Sequence, residues 1–489
     1  MGVFIDVEEE PVTEEVPAVP EKPVKDVGAK YIVLPILFEM LLLGILFLKN
    51  RTASMNYLYA LIPLLLATAF IGTYVYNREG NMKMFMAMAC LTSLGTALQV
   101  LIDQVYNPIS SFSLIKMVIG IAIAIIFIAV YTLFRKALDY SITLYIMMII
   151  SAAIYVVLLI AGTDPNGYGT SAWIRLGSVT VQLTDVTKVS AVLFYASLFS
   201  PRAARTEKQV LWLCNIFFLI NLVGSLLIRE LGSFFILFFL HISILYIFMR
   251  HGKKKRTYLI VVFCAIVFAV IMVFVLYRLM RGAAAAGSLN HFQSLLWPIV
   301  LKAYQRFSVT ANINMDPNGA GYQLLQGKKA LWMSGLFGNT VNFHAIPVAE
   351  SDMAFIALCN GFGFVFGFLA IACFWRIMIS ASELSREYLL KSRTEAIVVY
   401  GAAVLIFLQA MLVILGSCNV IPFTGLPIPF LSRGGTYQTI VFCFAGLLLH
   451  MSEKDVKEGG DRDDESQSIE QDSPEQEAED GSENAEIQA

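Results

Sequence analysis

Apolar runs of about twenty residues recur along this chain, and that is the length a helix needs to cross the hydrocarbon core of a bilayer. They fall at 31–48, 57–76, 82–102, 114–134, 140–162, 210–228, 232–249, 257–280, 353–376 and 397–416, with two shorter ones at 186–199 and 436–450 that start on polar residues. About twelve spans are predicted, and the fold class is an all-α polytopic membrane bundle. Composition agrees. Of the 489 residues, 57% are hydrophobic and 15% charged, against roughly 45–50% and 25% in a soluble globular chain.

The charge pattern narrows the class further. A formal net charge of −2, with no Lys/Arg stripe to track phosphates, argues against a nucleic-acid partner. The basic residues Arg135, Lys136, Arg202, Arg205, Lys208, Arg250, Lys253–Arg256, Arg376, Arg386, Lys391 and Arg393 fall in alternate connections, which places those connections and both termini on the cytoplasmic side. Lys49 and Arg51 run against that bias. Residues 1–29 are acidic and proline-bearing with no basic segment before a short apolar core, so they read as a disordered cytoplasmic tail and not a signal peptide. Residues 452–489 read likewise as an acidic disordered tail. The seven cysteines form no C-x-x-C pair and read as small apolar packing residues, and the five histidines are too scattered for a zinc site.

Three segments predicted on the outer face are too long or too rich in Pro and Gly to be simple connectors: 163–185, 281–350 and 417–435. Long loops in a tightly connected protein usually carry function. The first runs from Asn166-Gly167 through Trp173-Ile174-Arg175-Leu176-Gly177 to Gln182. Trp173 suits a bilayer surface, where an indole has a wet N–H and a dry ring. Lys188 follows at the start of a span; it is either a functional intramembrane cation or a side chain that snorkels to the interface. Arg229-Glu230 is either a solvated turn or a pair facing a polar cavity. The large segment holds Gln305-Arg306 and then Asp316-Pro317-Asn318-Gly319-Ala320-Gly321-Tyr322-Gln323, a tight turn that presents a carboxylate on fixed backbone. Lys328 and Lys329 are placed either to neutralise phosphates or to solvate the loop. The third segment, Pro422-Phe423-Thr424-Gly425-Leu426-Pro427-Ile428-Pro429-Phe430-Leu431-Ser432-Arg433-Gly434-Gly435, cannot form a plain helix. Irregular backbone at membrane depth is tolerated only where protein buries it or it lines a cavity.

Taken together these segments resemble the SEDS proteins, the FtsW/RodA/SpoVE group. Pro422–Gly435 is similar to the family run P-V-T-G-[IL]-P-L-P-F-[IVL]-S-Y-G-G, and Asp316–Gln323 to D-P-x-G-x-G-[YW]-[QH], with Gln305-Arg306 where the family often has Q-R. Asn166–Gly177 resembles N-G-x-x-R-W-I-x-[LF]-G, and Gln182 and Lys188 fall where Q-P-S-E-x-x-K would put them. The resemblance covers roughly 80–450. It divides the chain into a two-helix extension at 30–80, a membrane domain at 81–451 with its outer loop at 281–350, and the two tails. It implies a peptidoglycan glycosyltransferase that polymerises lipid II, the undecaprenyl-diphosphate-linked disaccharide peptide, beside a cognate class B penicillin-binding protein. It implies Asp316 as the catalytic general base, with substrate-binding residues Trp173, Lys188, Gln305, Arg306, Gly321, Ser432, Arg433 and Gly434. A divalent cation, Mg or Mn, would help to neutralise the leaving diphosphate.

The departures are specific. Q-P-S-E is here Gln182-Leu183-Thr184-Asp185, and Q-P-D-L-G-T is Ile228-Arg229-Glu230-Leu231-Gly232-Ser233. Trp332 and Met333 stand among what are small residues in the family, Asn360-Gly361-Phe362-Gly363 replaces E-E-L-G, and Arg433 replaces a tyrosine. Two other readings are a flippase of the same lipid and a catalytically inactive scaffold for the transpeptidase. Against a flippase, most charges cluster at the outer ends of helices instead of being staggered through the bilayer depth.

Overall fold

The structure, a computed structural model, describes residues 28–106, 112–164, 167, 169–177, 179–203, 205–248, 252–433 and 435–457. The described residues form fifteen α-helices and one small hairpin. In order they are α1 (Lys30–Lys49), α2 (Arg51–Asn77), α3 (Met82–Tyr106), α4 (Phe112–Phe134), α5 (Ser141–Ala161), β1 (Trp173–Leu176), β2 (Val179–Gln182), α6 (Thr184–Leu198), α7 (Glu207–Leu227), α8 (Leu231–Phe248), α9 (Gly252–Ala285), α10 (His291–Ala311), α11 (Tyr322–Trp332), α12 (Ala354–Phe362), α13 (Phe364–Leu389), α14 (Arg393–Ser417) and α15 (Gly435–Met451). Among the described residues ten helices are long and apolar enough to cross a membrane, and α15 is a shorter apolar helix. The fold is an all-α polytopic membrane bundle.

Two expectations change in detail. The 281–350 segment is not an open loop: α9 runs on to Ala285, and α10 and α11 fill much of the rest. The span expected at 353–376 is two helices that break at Gly363, whose φ of +102° lies outside the α-helical region.

α14 is the central helix, largely buried and packed on α13, α6, α8 and α15. α4 packs on α15, α5 on α6, and α1 on both α2 and α3. By contrast α9 buries none of its span and rests mainly on α10, where Tyr277 and Tyr304 stack with centroids 3.5 Å apart. A helix this apolar and this bare fits a membrane span.

The ends of the bundle differ. One gathers the ion pairs Arg78–Asp455 at 2.7 Å, Arg135–Glu395 at 3.3 Å and Lys457–Glu387 at 3.4 Å. At the other end, the 418–433 segment folds back between α14 and α15. Its backbone groups are met by side chains from the surrounding helices. Gln99 of α3 donates to Leu431 O at 2.7 Å, Gln409 of α14 to Pro427 O at 2.8 Å, and Gln438 of α15 to Ile428 O and Ser432 O at 3.0 and 2.9 Å. Phe430 N donates in turn to Gln438 Oε1 at 2.9 Å. Such pairing is what lets non-helical backbone persist inside a membrane protein. Gly95 allows α3 to approach, because a Cβ there would overlap Phe430 O. Gly95→Ala is therefore expected to destabilise the protein by about 1–3 kcal/mol through overpacking, seen as a lower unfolding temperature in detergent.

Candidate functional site

The folded-back segment, the hairpin and α10 enclose a cavity of about 760 Å³ at this end of the bundle. The hairpin is antiparallel, with Trp173 opposite Gln182, so both side chains leave the same face and reach the cavity. Gly177 at φ +62° starts its turn. Thr163 N donates to Trp173 O at 2.7 Å and ties the hairpin to the end of α5.

The cavity wall carries both signs of charge. The acids are Asp164, Asp185, Glu230, Glu350 and Asp352; the bases are Lys302 and Arg306, one turn apart on α10. Arg306 and Asp352 both lie beneath Gly425: a Cβ on that glycine would stand 3.5 Å from Asp352 Oδ2 and 3.9 Å from Arg306 Nη2. Gly425 itself is held at φ +66°. Burial pushes the Asp352 carboxyl up to about 6, with Glu350 adding to the rise while Ser351 and Arg306 oppose it. Burial and the neighbouring Arg306 charge bring Lys302 down to about 8. Burial also lowers Arg306, which Glu230 and Asp352 partly offset.

Behind this wall lies a buried ion pair. Lys188 is 1% exposed, so it does not snorkel. Its Nζ donates to Asp185 Oδ1 at 2.7 Å and Gln409 Oε1 at 3.0 Å, and lies 4.7 Å from the centre of the Tyr437 ring. Gln409 thus links the pair to Pro427 of the folded-back segment. Asp185 faces the cavity, and its Oδ2 has no hydrogen-bond partner among the described residues. Glu230 is buried at the start of α8, accepting from Ser233 N at 3.1 Å and Thr184 Oγ1 at 2.8 Å, whereas Arg229 is exposed on its turn. Each reading of Arg229-Glu230 therefore holds for one residue.

The predicted site residues separate into groups. Trp173, Gln305 and Arg306 line the cavity, and Lys188 stands behind Asp185. Asp316 sits exposed on a turn whose following residues Gly319 and Ala320 reach the cavity wall; its Oδ2 accepts from Ala320 N at 2.9 Å. Three residues expected to bind substrate make contacts within the scaffold. Gly321 is buried, and its N–H donates to Asp316 O at 2.9 Å, which closes the turn. Ser432 Oγ donates to Ser351 O at 2.9 Å and accepts from Ile428 N at 2.7 Å. Arg433 pairs with Asp103 on α3 and donates its backbone N–H to Glu350 O at 2.7 Å. Gly434 lies outside the described residues. Lys328 and Lys329 are exposed on α11 and are not part of the cavity wall. Sequence reasoning missed Asp352, Gln99 and Gln409 as contributors. Each polar residue stands in an apolar run or at its edge, and that was the available signal.

Residues 78–457 match the family model for the FtsW, RodA and SpoVE cell cycle proteins. A probable peptidoglycan glycosyltransferase FtsW of Enterococcus hirae is 24% identical over 302 residues, covering 59% of this chain and 70% of that protein. The stage V sporulation protein E of Bacillus subtilis is 26% identical over 329 residues, covering 63% of this chain and 78% of that protein. A chain from a structure titled as a peptidoglycan synthase complex that coordinates polymerization and crosslinking superposes with a TM-score of 0.56 at 18% identity. That match covers 77% of this chain and 98% of the other.

Two outcomes follow from the geometry. Lys188→Met should destabilise the protein by about 3–5 kcal/mol, since it strands Asp185 as a buried charge. Combining it with Asp185→Asn should recover most of that loss in thermal unfolding. Lys302 is protonated below about 8 and neutral above it. Because its folded value is depressed, this lysine adds stability as pH rises from about 8 to 10.5, while its attraction for anions falls. Affinity for inorganic diphosphate, measured by calorimetry, should fall relative to that of Lys302→Arg as pH passes 8.

Proposed function

Because the chain belongs to the FtsW/RodA/SpoVE family of cell cycle proteins, we infer that it is a peptidoglycan glycosyltransferase polymerising lipid II at the outer face of the cytoplasmic membrane. The observation that carries this reading is convergence. Trp173, Gln305-Arg306 and the 423–427 stretch come from three separate parts of the chain onto one cavity, with the Asp316 turn at its rim. The site end of the bundle then faces outward, and both tails are cytoplasmic. This agrees with the basic residues gathered at the opposite end.

In this reading the cavity takes the diphosphate-linked end of the growing strand. Lys302 and Arg306 meet the diphosphate charge that builds as the sugar–phosphate bond breaks. The 4-hydroxyl of the incoming lipid II sugar attacks the anomeric carbon, and Asp316 accepts its proton. The exposed turn leaves Asp316 open to an acceptor at the rim, and the hydrogen bond from Ala320 N fixes where its carboxylate points. The buried Asp185–Lys188–Gln409 chain holds the wall in place from behind.

Among the described residues no group of three or more His, Cys, Asp or Glu side chains forms a ready-made cation cage. A divalent cation bound through substrate phosphates needs only one or two carboxylates. Asp352 and Glu350 fit that requirement: both line the cavity, and the charge of Glu350 adds to the rise that burial gives the Asp352 carboxyl. Bound there, a Mg²⁺ or Mn²⁺ ion would supply charge neutralisation for the diphosphate. A class B penicillin-binding protein is the partner this reading predicts.

The test is glycan polymerisation from purified lipid II with and without that partner. Asp316→Asn is expected to lower the rate by about 10²–10⁴-fold, the span of a general base, while its unfolding temperature stays normal. EDTA should lower the wild-type rate, and Mg²⁺ or Mn²⁺ should restore it. A well-folded Asp316→Asn variant with wild-type rate would remove the proposed base. Absence of polymer under every partner and metal condition would favour the scaffold or the flippase.

A further inference from the structure

The link between α11 and α12 is the place where two departures from the family pattern meet. Asn360, buried at the end of α12, donates through Nδ2 to Ala330 O at 2.8 Å and Val341 O at 3.0 Å. Its backbone carbonyl accepts from both Asn339 N and Thr340 N at 3.1 Å. A glutamate at this position would lack the amide donors that hold Ala330 and Val341. Gly335 and Gly338, at φ +66° and +70°, turn the chain between these fixed points.

The wiring projects large apolar side chains away from the protein. Trp332 is 82% exposed, Leu336 66% and Phe337 70%. Met333 and Val341 are also exposed beside them. Lys328, four residues before Trp332 on α11, shares its helix face and is exposed as well.

The depth of this patch relative to the bilayer is set by two spans. Phe364 N and Val365 N, the first N–H groups of α13, donate to Gly335 O and Leu336 O at 3.1 and 3.2 Å. Lys49, the last residue of α1, donates through Nζ to Gly338 O at 2.7 Å. Both α1 and α13 are membrane-spanning by length and hydropathy. The link therefore lies where two spans meet the bilayer surface. This position also accounts for Lys49, which runs against the charge bias: its ammonium caps a backbone carbonyl of the link.

We propose that the Trp332–Val341 link is a membrane wedge. Trp332, Leu336 and Phe337 enter the headgroup–acyl boundary of the leaflet at the site end, and Lys328 meets lipid phosphate above them. Indole, aromatic and aliphatic groups below a lysine match the chemistry of that boundary. The wedge fixes α11, and with it the Asp316 turn at the other end of that helix, at a set height above the lipid.

Fluorescence tests this in the full chain reconstituted in nanodiscs. The Trp332 signal is the difference between the wild type and Trp332→Phe, a swap at an exposed position that leaves the fold intact. With phospholipid brominated in the upper acyl chain, most of that difference signal should be lost, and aqueous iodide should have little effect. Leu336→Trp in the Trp332→Phe background should behave the same way, as an independent probe of the wedge. Quenching by iodide and not by bromolipid would overturn the proposal in favour of a solvated loop. Quenching by neither would overturn it in favour of a surface covered by a second copy of the chain.

Discussion

The segment between α14 and α15 is irregular backbone buried against membrane helices, and its hydrogen bonding governs the rest of the site. Water is not available there to satisfy stray carbonyls. Gln99, Gln409 and Gln438 approach from three different helices and do so instead. Each of these glutamines would be costly in lipid without a partner. The segment and the three helices therefore hold one another in register. Gly95 lets α3 come close enough for this, and Ser432 closes the segment on itself and onto Ser351.

The same network reaches the electrostatics of the cavity. Gln409 bonds both Pro427 O and Lys188, and Lys188 bonds Asp185. A buried ion pair of this kind contributes little net stability over an apolar pair. Its effect is positional: it places the Asp185 carboxylate on the cavity wall and joins α6 to α14. The wall is richer in acids than in bases. An anionic diphosphate in such a place calls for added positive charge, which is the physical case for a cation held through Glu350 and Asp352. The exposed Asp316 turn reaches this wall only through Gly319 and Ala320, so the proposed reaction would divide proton transfer at the rim and charge neutralisation within the cavity between separate groups.

Much of this was legible in the sequence, for identifiable reasons. The motif around Asp316 reads as a turn because Pro317, Asn318 and Gly319 are turn residues, and a turn is what forms. The proline-rich run at 422–429 reads as non-helical for the same local reason. Arg433 was misread. As a bare cation beside a glycine pair it resembles a phosphate ligand, yet Asp103, some three hundred residues earlier, takes it up. Nothing near either residue in sequence signals that pairing. Lys188 read as ambiguous because snorkelling and burial differ only in which way a long side chain turns.

The sequence by itself determined most of the spans, the turns and the class of the protein, because hydrophobic length and the φ preferences of Gly and Pro act over a few residues at a time. It also carried the family pattern. The tertiary structure decided which polar groups meet. It set Asn360 to organise the link that bares Trp332, broke the 353–376 span at Gly363, and filled the 281–350 segment with helices. Each of these outcomes depends on partners distant in the chain. In a bundle where an unpaired buried polar group is costly, the packing that satisfies the most such groups at once selects the arrangement.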